Sequence, residues 1–201
     1  MTPAESLQLL ALPTTTTDRW LEQLAEPQRH YHTLEHVTAM LAHVDKVSSE
    51  WNQPNAIAPL HQREFVAAIW LHDIVYDPRS SDNEERSAEQ ALHDLAGSGL
   101  HADTVAALIM ATKRHDAATE LEKALIDLDL GILSAAPAAY DRYARQIRME
   151  YDFVPYDTYR AARIKILDGF DRRVIFRTAS FTPLEAQAHE NLRREMQHLR
   201  S

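Results

Sequence analysis

A chain of 201 residues with 45% hydrophobic and 25% charged positions holds enough apolar material for one substantial core and points to a single domain. Its formal charge of −9, with no basic stripe, argues against a nucleic acid polymer as partner, because phosphate backbones are held mainly by clustered Lys and Arg. Cysteine is absent, which excludes disulfides, thiolate metal sites and cysteine nucleophiles and leaves nitrogen and oxygen as metal donors.

With only four glycines, few turns and long helices are expected, and no strand-type alternation stands out, so the fold class is all-α. Met1 to Leu12 carries Glu5 and no basic leader and does not read as a signal peptide; no apolar run reaches membrane-span length. The expectation is a cytoplasmic protein without a membrane partner.

In chain order, Thr17 or Asp18 is expected to cap a short helix through Trp20, Leu21 and Leu24 that stops before Pro27. Leu34, Val37, Met40, Leu41, Val44 and Val47 keep helical spacing from Thr33 to about Ser49. Breakers make Trp51 to Pro59 a loop, and a helix is predicted from about Leu60 to Tyr76. Ser81 with Glu84 reads as a capping box for a helix closed by Gly97 and Gly99. A helix from about Asp103 to His115 follows, and Thr119 with Glu122 opens another through Leu128 and Ile132. Two longer helices are predicted at Pro137 to about Asp152 and about Asp157 to Arg177. Thr182, Pro183 and Glu185 form a third box before the last helix.

Three His-Asp pairs occur, and their surroundings separate them. His93-Asp94 lies among Glu, Gln and Ser and reads as a solvated surface pair. His72-Asp73 is flanked by Ala67 to Leu71 and by Ile74 to Tyr76, where water is scarce. An ionised carboxylate buried there needs a partner, and a metal is one solution. Adjacent helical residues diverge by about 100°, so further ligands must come from other helices. His36, four residues after His32 on one helix face, is a second source, and Asp129, in an apolar setting beside Asp127, a third.

The run Arg29-His30-Tyr31-His32-Thr33-Leu34-Glu35-His36-Val37, then Trp70-Leu71-His72-Asp73-Ile74-Val75-Tyr76, then Asp127-Leu128-Asp129-Leu130 resembles the HD superfamily of metal-dependent phosphohydrolases. The likeness is to its bacterial group of predicted HD phosphohydrolases, and it spans about Arg29 to Ser134. It implies an HD-type helical bundle with additional C-terminal helices. It also implies a divalent metal (Mn, Fe, Co, Ni, Zn or Mg) held by His36, His72, Asp73 and Asp129. Asp129 is preferred to Asp127 because the family Asp is followed by Leu near the start of an apolar stretch, although both have a following Leu.

The resemblance implies hydrolysis of a phosphorylated small molecule by a metal-activated water. Asp73 would orient that water. His115, Lys113, His32 and Arg29 are candidates to contact the phosphate or protonate the leaving oxygen, and Glu84 is a candidate acceptor or base if it is not only a capping residue. A di-iron oxygenase using extra histidines, or a non-catalytic helical domain that keeps the ion, are the alternatives. A homodimer is left open.

Overall fold

With so few glycines to interrupt them, the described residues, 1–48 and 62–201, form ten α-helices and no strand in the computed structural model. These are α1 (Pro3–Leu10), α2 (Thr14–Leu24), α3 (Leu34–Ser48), α4 (Gln62–Leu71), α5 (Asn83–Asp94), α6 (Ala102–Thr112), α7 (Glu120–Asp129), α8 (Pro137–Glu150), α9 (Tyr156–Asp171) and α10 (Glu185–Arg200). Short 3-10 turns occupy Leu130–Ser134 and Thr182–Leu184. The loop expected at Trp51 to Pro59 and the adjoining helix ends fall on residues 49–61, outside the described residues.

The centre of the bundle is α4. Every side chain from Glu64 to Leu71 is buried, as a helix apolar on all sides requires, and α1, α3, α5, α6 and α7 pack around it. The second half is organised by α10, which lies against α8, α9 and the Leu130–Ser134 turn. Buried apolar side chains from Leu10 to Leu199 form one contiguous cluster. No helix among the described residues is long and apolar enough to cross a membrane.

Several elements depart from expectation. Helix α1 was not foreseen, although Thr2, Pro3 and Glu5 make a complete capping box with Pro at its start. Helix α2 begins at Thr14 rather than at Thr17 or Asp18, and Thr17 instead bonds back to the Thr14 carbonyl. The Ser81/Glu84 box does not form: α5 starts at Asn83 after Asp82, which frees Glu84 to face a cleft. The Thr182/Glu185 box is also absent, because the Glu185 carboxylate accepts from the amides of Ile175 and Phe176. The Thr119/Glu122 box is present as expected.

His93-Asp94 is only half a surface pair. The His93 side chain is 82% exposed but that of Asp94 is 1% exposed. Asp94 accepts from the buried Trp20 indole at 2.8 Å, from Arg19 at 2.5 Å and from Gln90 at 3.2 Å, tying α2 to α5. Asp94→Ala strands the indole N–H in the core, so urea unfolding is expected to show a loss of about 2 kcal/mol. A loss below about 0.5 kcal/mol, the usual range for surface substitutions, would restore the solvated-pair reading.

Candidate metal centre

Helix α4 ends at Leu71, so His72 and Asp73 lie in the turn that leaves it rather than inside a helix continuing to Tyr76. The turn removes the angular restriction that a helix would impose, and both side chains point to one place. His36 reaches the same place from the first turn of α3, and Asp129 from the last residue of α7. Three helix ends thus meet, and the ligand atoms of His36, His72, Asp73 and Asp129 all lie within 4.8 Å of one another.

The contacts inside the group are polar throughout. His36 Nε2 is 3.2 Å from His72 Nε2 and 3.3 Å from Asp129 Oδ1, and His72 Nε2 is 3.0 Å from Asp73 Oδ2. His72 Nδ1 lies 3.0 Å from the Ile69 carbonyl, which can only accept, so the proton on that side is fixed. A neutral His72 therefore presents the Nε2 lone pair to the centre of the group, the arrangement a metal-binding imidazole needs.

Electrostatics at the centre favour positive charge. Burial disfavours a charged His72, but Asp73 and Asp129 outweigh it and push its pKa up to about 9. Burial pushes His36 the other way, down, against the pull of Asp129. Burial also opposes ionisation of Asp73 and Asp129, yet the neighbouring imidazoles hold both carboxyls below the usual range. Two inward carboxylates and two imidazole nitrogens thus fit a divalent cation, with nitrogen and oxygen donors that do not select among first-row metals.

Asp127, the competing candidate, has another task. Its buried carboxylate accepts from the amides of Arg177 and Thr178 and from the Thr178 hydroxyl, pinning the segment after α9 to α7. Two residues on, Asp129 is turned to the group of four side chains that could hold a metal ion.

The group opens on a cleft of about 430 Å³ that Asp73 and Asp129 line together with His32, Glu84 and His115. His115 adopts a positive φ of 49° just past α6, and its Nε2 lies 3.4 Å from Asp129 Oδ2. A second cavity, about 370 Å³, shares Tyr31, Ile132 and Tyr143 with the cleft and reaches only His36 of the four.

Two candidate phosphate contacts are engaged elsewhere. Arg29 is buried, with Nη1 donating to the carbonyls of His32 (3.0 Å) and Asp73 (2.7 Å), Nη2 to Ile74 (2.7 Å) and Nε to Glu26 (3.1 Å). It is a positioning residue, satisfying the carbonyls of Asp73 and Ile74 in the turn after α4 and locking that turn to the His32 loop. Lys113 donates to the Ser81 carbonyl at 2.7 Å, pairs with Glu85 and lies 3.9 Å from Oε2 of the cleft-lining Glu84, so its ammonium closes the α5–α6 edge and is not itself among the groups lining the cleft.

His32 precedes α3 rather than sharing its face with His36. It is held by Glu150, the last residue of α8, which was not foreseen as part of the site. Glu150 Oε1 accepts the amides of His30, Tyr31 and His32 at 2.7–3.0 Å, and Oε2 accepts from His32 Nδ1 and the Tyr76 hydroxyl at 2.7 Å each. Burial opposes the charge on Glu150, but His32 and these amides bring its pKa down to about 2. His32 Nε2 is left 3.9 Å from Asp73 Oδ2.

Because His72 is protonated below about pH 9 in the absence of a cation, metal loading must displace that proton. Affinity for a divalent ion is expected to rise with pH up to that point by about tenfold per unit, with about one proton released near neutrality. Calorimetry in buffers of different ionisation enthalpy measures the release; a pH-independent affinity contradicts it. Arg29→Lys cannot make the forked contacts to three carbonyls, so it is expected to lower metal affinity at least about tenfold while helix content by circular dichroism persists. Unchanged affinity would remove Arg29 from the support of the site.

No protein-family model, curated protein or solved structure matches the chain, and the convergence of His36, His72, Asp73 and Asp129 is what the functional reading stands on.

Proposed function

We propose that the chain is a metal-dependent phosphohydrolase of the HD type, acting on a phosphoester of a small molecule. The observation that carries this reading is a group of two imidazoles and two carboxylates, its ligand atoms within 4.8 Å, at the polar end of a cleft large enough for a small organic molecule. A divalent cation there supplies Lewis acidity, making water nucleophilic near neutral pH and polarising a phosphoryl oxygen.

The remaining roles belong to the chain's own residues. Asp73, which bonds His72 through Oδ2, orients the attacking water. His32, whose Nδ1–H is committed to Glu150, turns Nε2 toward Asp73; Glu150 raises its pKa against burial, so a charged His32 donates to a phosphoryl oxygen. His115 lines the cleft beside Asp129 and protonates the leaving oxygen. Glu84, facing the same cleft, accepts a hydrogen bond from substrate or water.

The protein reconstituted separately with Mn, Co, Ni, Mg and Zn is expected to hydrolyse members of a phosphomonoester and nucleotide panel with at least one metal. Asp73→Ala is expected to lower kcat by about a thousandfold or more. A bound ion with no turnover on the whole panel counts against the hydrolase. Two iron ions per chain with oxygen consumption would put a di-iron oxygenase in its place.

A further inference from the structure

The cleft over the metal group is built unevenly. Its floor carries Asp73 and Asp129 of the metal group, the imidazoles of His32 and His115, and one further carboxylate, Glu84. Among the described lining residues the only guanidinium is that of Arg163, and no lysine is present. Arg163 is already committed, because it is buried and donates from Nε to Glu195 Oε1 at 2.8 Å and from Nη2 to Glu195 Oε2 at 3.2 Å and to the Tyr143 hydroxyl at 3.3 Å. Arg29 and Lys113, the two cations that the sequence offers as phosphate contacts, are engaged as described and are not among the lining residues, Lys113 standing behind Glu84 with Nζ 3.9 Å from Oε2.

Away from the floor the walls are apolar. Ile147 of α8, Val154 of the following turn, and Ile166, Leu167 and Phe170 of α9 supply them. Ile166 is 53% exposed, an apolar residue left facing solvent on the cleft wall. The hydroxyls that also line it belong to Thr and Tyr and carry no charge, and no Asn or Gln is present among the described lining residues.

Those features discriminate among phosphorylated compounds. A nucleoside polyphosphate brings several negative charges that want positioned Arg or Lys, and beyond the metal group the described lining offers it only the imidazoles of His32 and His115, the further carboxylate of Glu84, and a guanidinium already held by Glu195. A nucleobase brings donors and acceptors whose lost water contacts no side-chain amide would replace. An alkyl or aryl group brings surface that the walls remove from water. We infer that the cleft takes a substrate with one acidic phosphorus group, placed at the metal centre, on an apolar aliphatic or aromatic body. This specificity rests on the hydrolase reading for what happens to the acidic group, but not for what the walls bind.

The experiment measures binding, not turnover. Methyl-, butyl- and octylphosphonate are titrated into the metal-loaded protein by calorimetry, with adenosine mono- and triphosphate as comparison ligands. Affinity is expected to rise about fourfold per methylene until the cleft is filled, and octylphosphonate to bind more tightly than either nucleotide. Ile166→Asp, at an exposed position that the fold tolerates, is expected to weaken octylphosphonate at least about tenfold and leave methylphosphonate unchanged. The corresponding primary alcohols titrated into metal-free protein give the same chain-length slope without the metal centre.

A flat phosphonate series, or a nucleotide that binds more tightly than octylphosphonate, overturns the inference, even if nucleotides are hydrolysed. A clear slope in both series with no turnover of any phosphoester supports the inference and sinks the hydrolase, so the two failures are distinguishable.

Discussion

Two carboxylates and two imidazoles face one another in a space a few ångströms wide where the ends of three helices meet, and such a group holds together only with positive charge at its centre. Without an ion, a proton on His72 supplies that charge, which is why its pKa is pushed so far up. A divalent cation supplies it better, satisfying both carboxylates and both ring nitrogens at once. The remaining architecture around the group is the means by which it is kept from relaxing apart.

That architecture works through helix ends. His36 stands at the start of α3, Asp129 at the end of α7, and His72-Asp73 in the turn after α4. Ends are where backbone groups lack partners, and two buried charged side chains supply them from outside the ligand set. Arg29 gathers the carbonyls of Asp73 and Ile74 in the turn after α4 with that of His32, and Glu150 gathers three amides around the His32 loop. Glu150 also ties α8 to this loop through His32 and Tyr76, so the C-terminal helices do more than cover the core. They position one wall of the cleft and, through His32, the floor beside the metal group.

The contrast between Asp127 and Asp129 shows how finely this depends on register. Both sit near the end of α7, both precede a leucine, and both have buried neighbours. One serves the backbone of Arg177 and Thr178 and the other joins His36, His72 and Asp73 in the candidate metal site. A shift of two residues turns a helical side chain by about 200°, which is enough to exchange the two environments.

Read without coordinates, the chain shows its helices through apolar spacing, its want of turns through four glycines, and the shielding of Asp73 through the run of Ala, Ile, Trp and Leu before it. These are local properties, and local chemistry determines them. The end of α4 before His72 and the start of α5 at Asn83 rather than Ser81 are not marked by local spacing, while Glu185 and Asp94 were taken by tertiary partners, the amides of Ile175 and Phe176 and the indole of Trp20. Glu150 belongs to the same class: nothing in its neighbours in sequence marks it, because its donors lie about 120 residues away. A ligand type can be read from one residue and its surroundings, but a site is a distance between residues far apart in the chain, and only the packed helices set that distance.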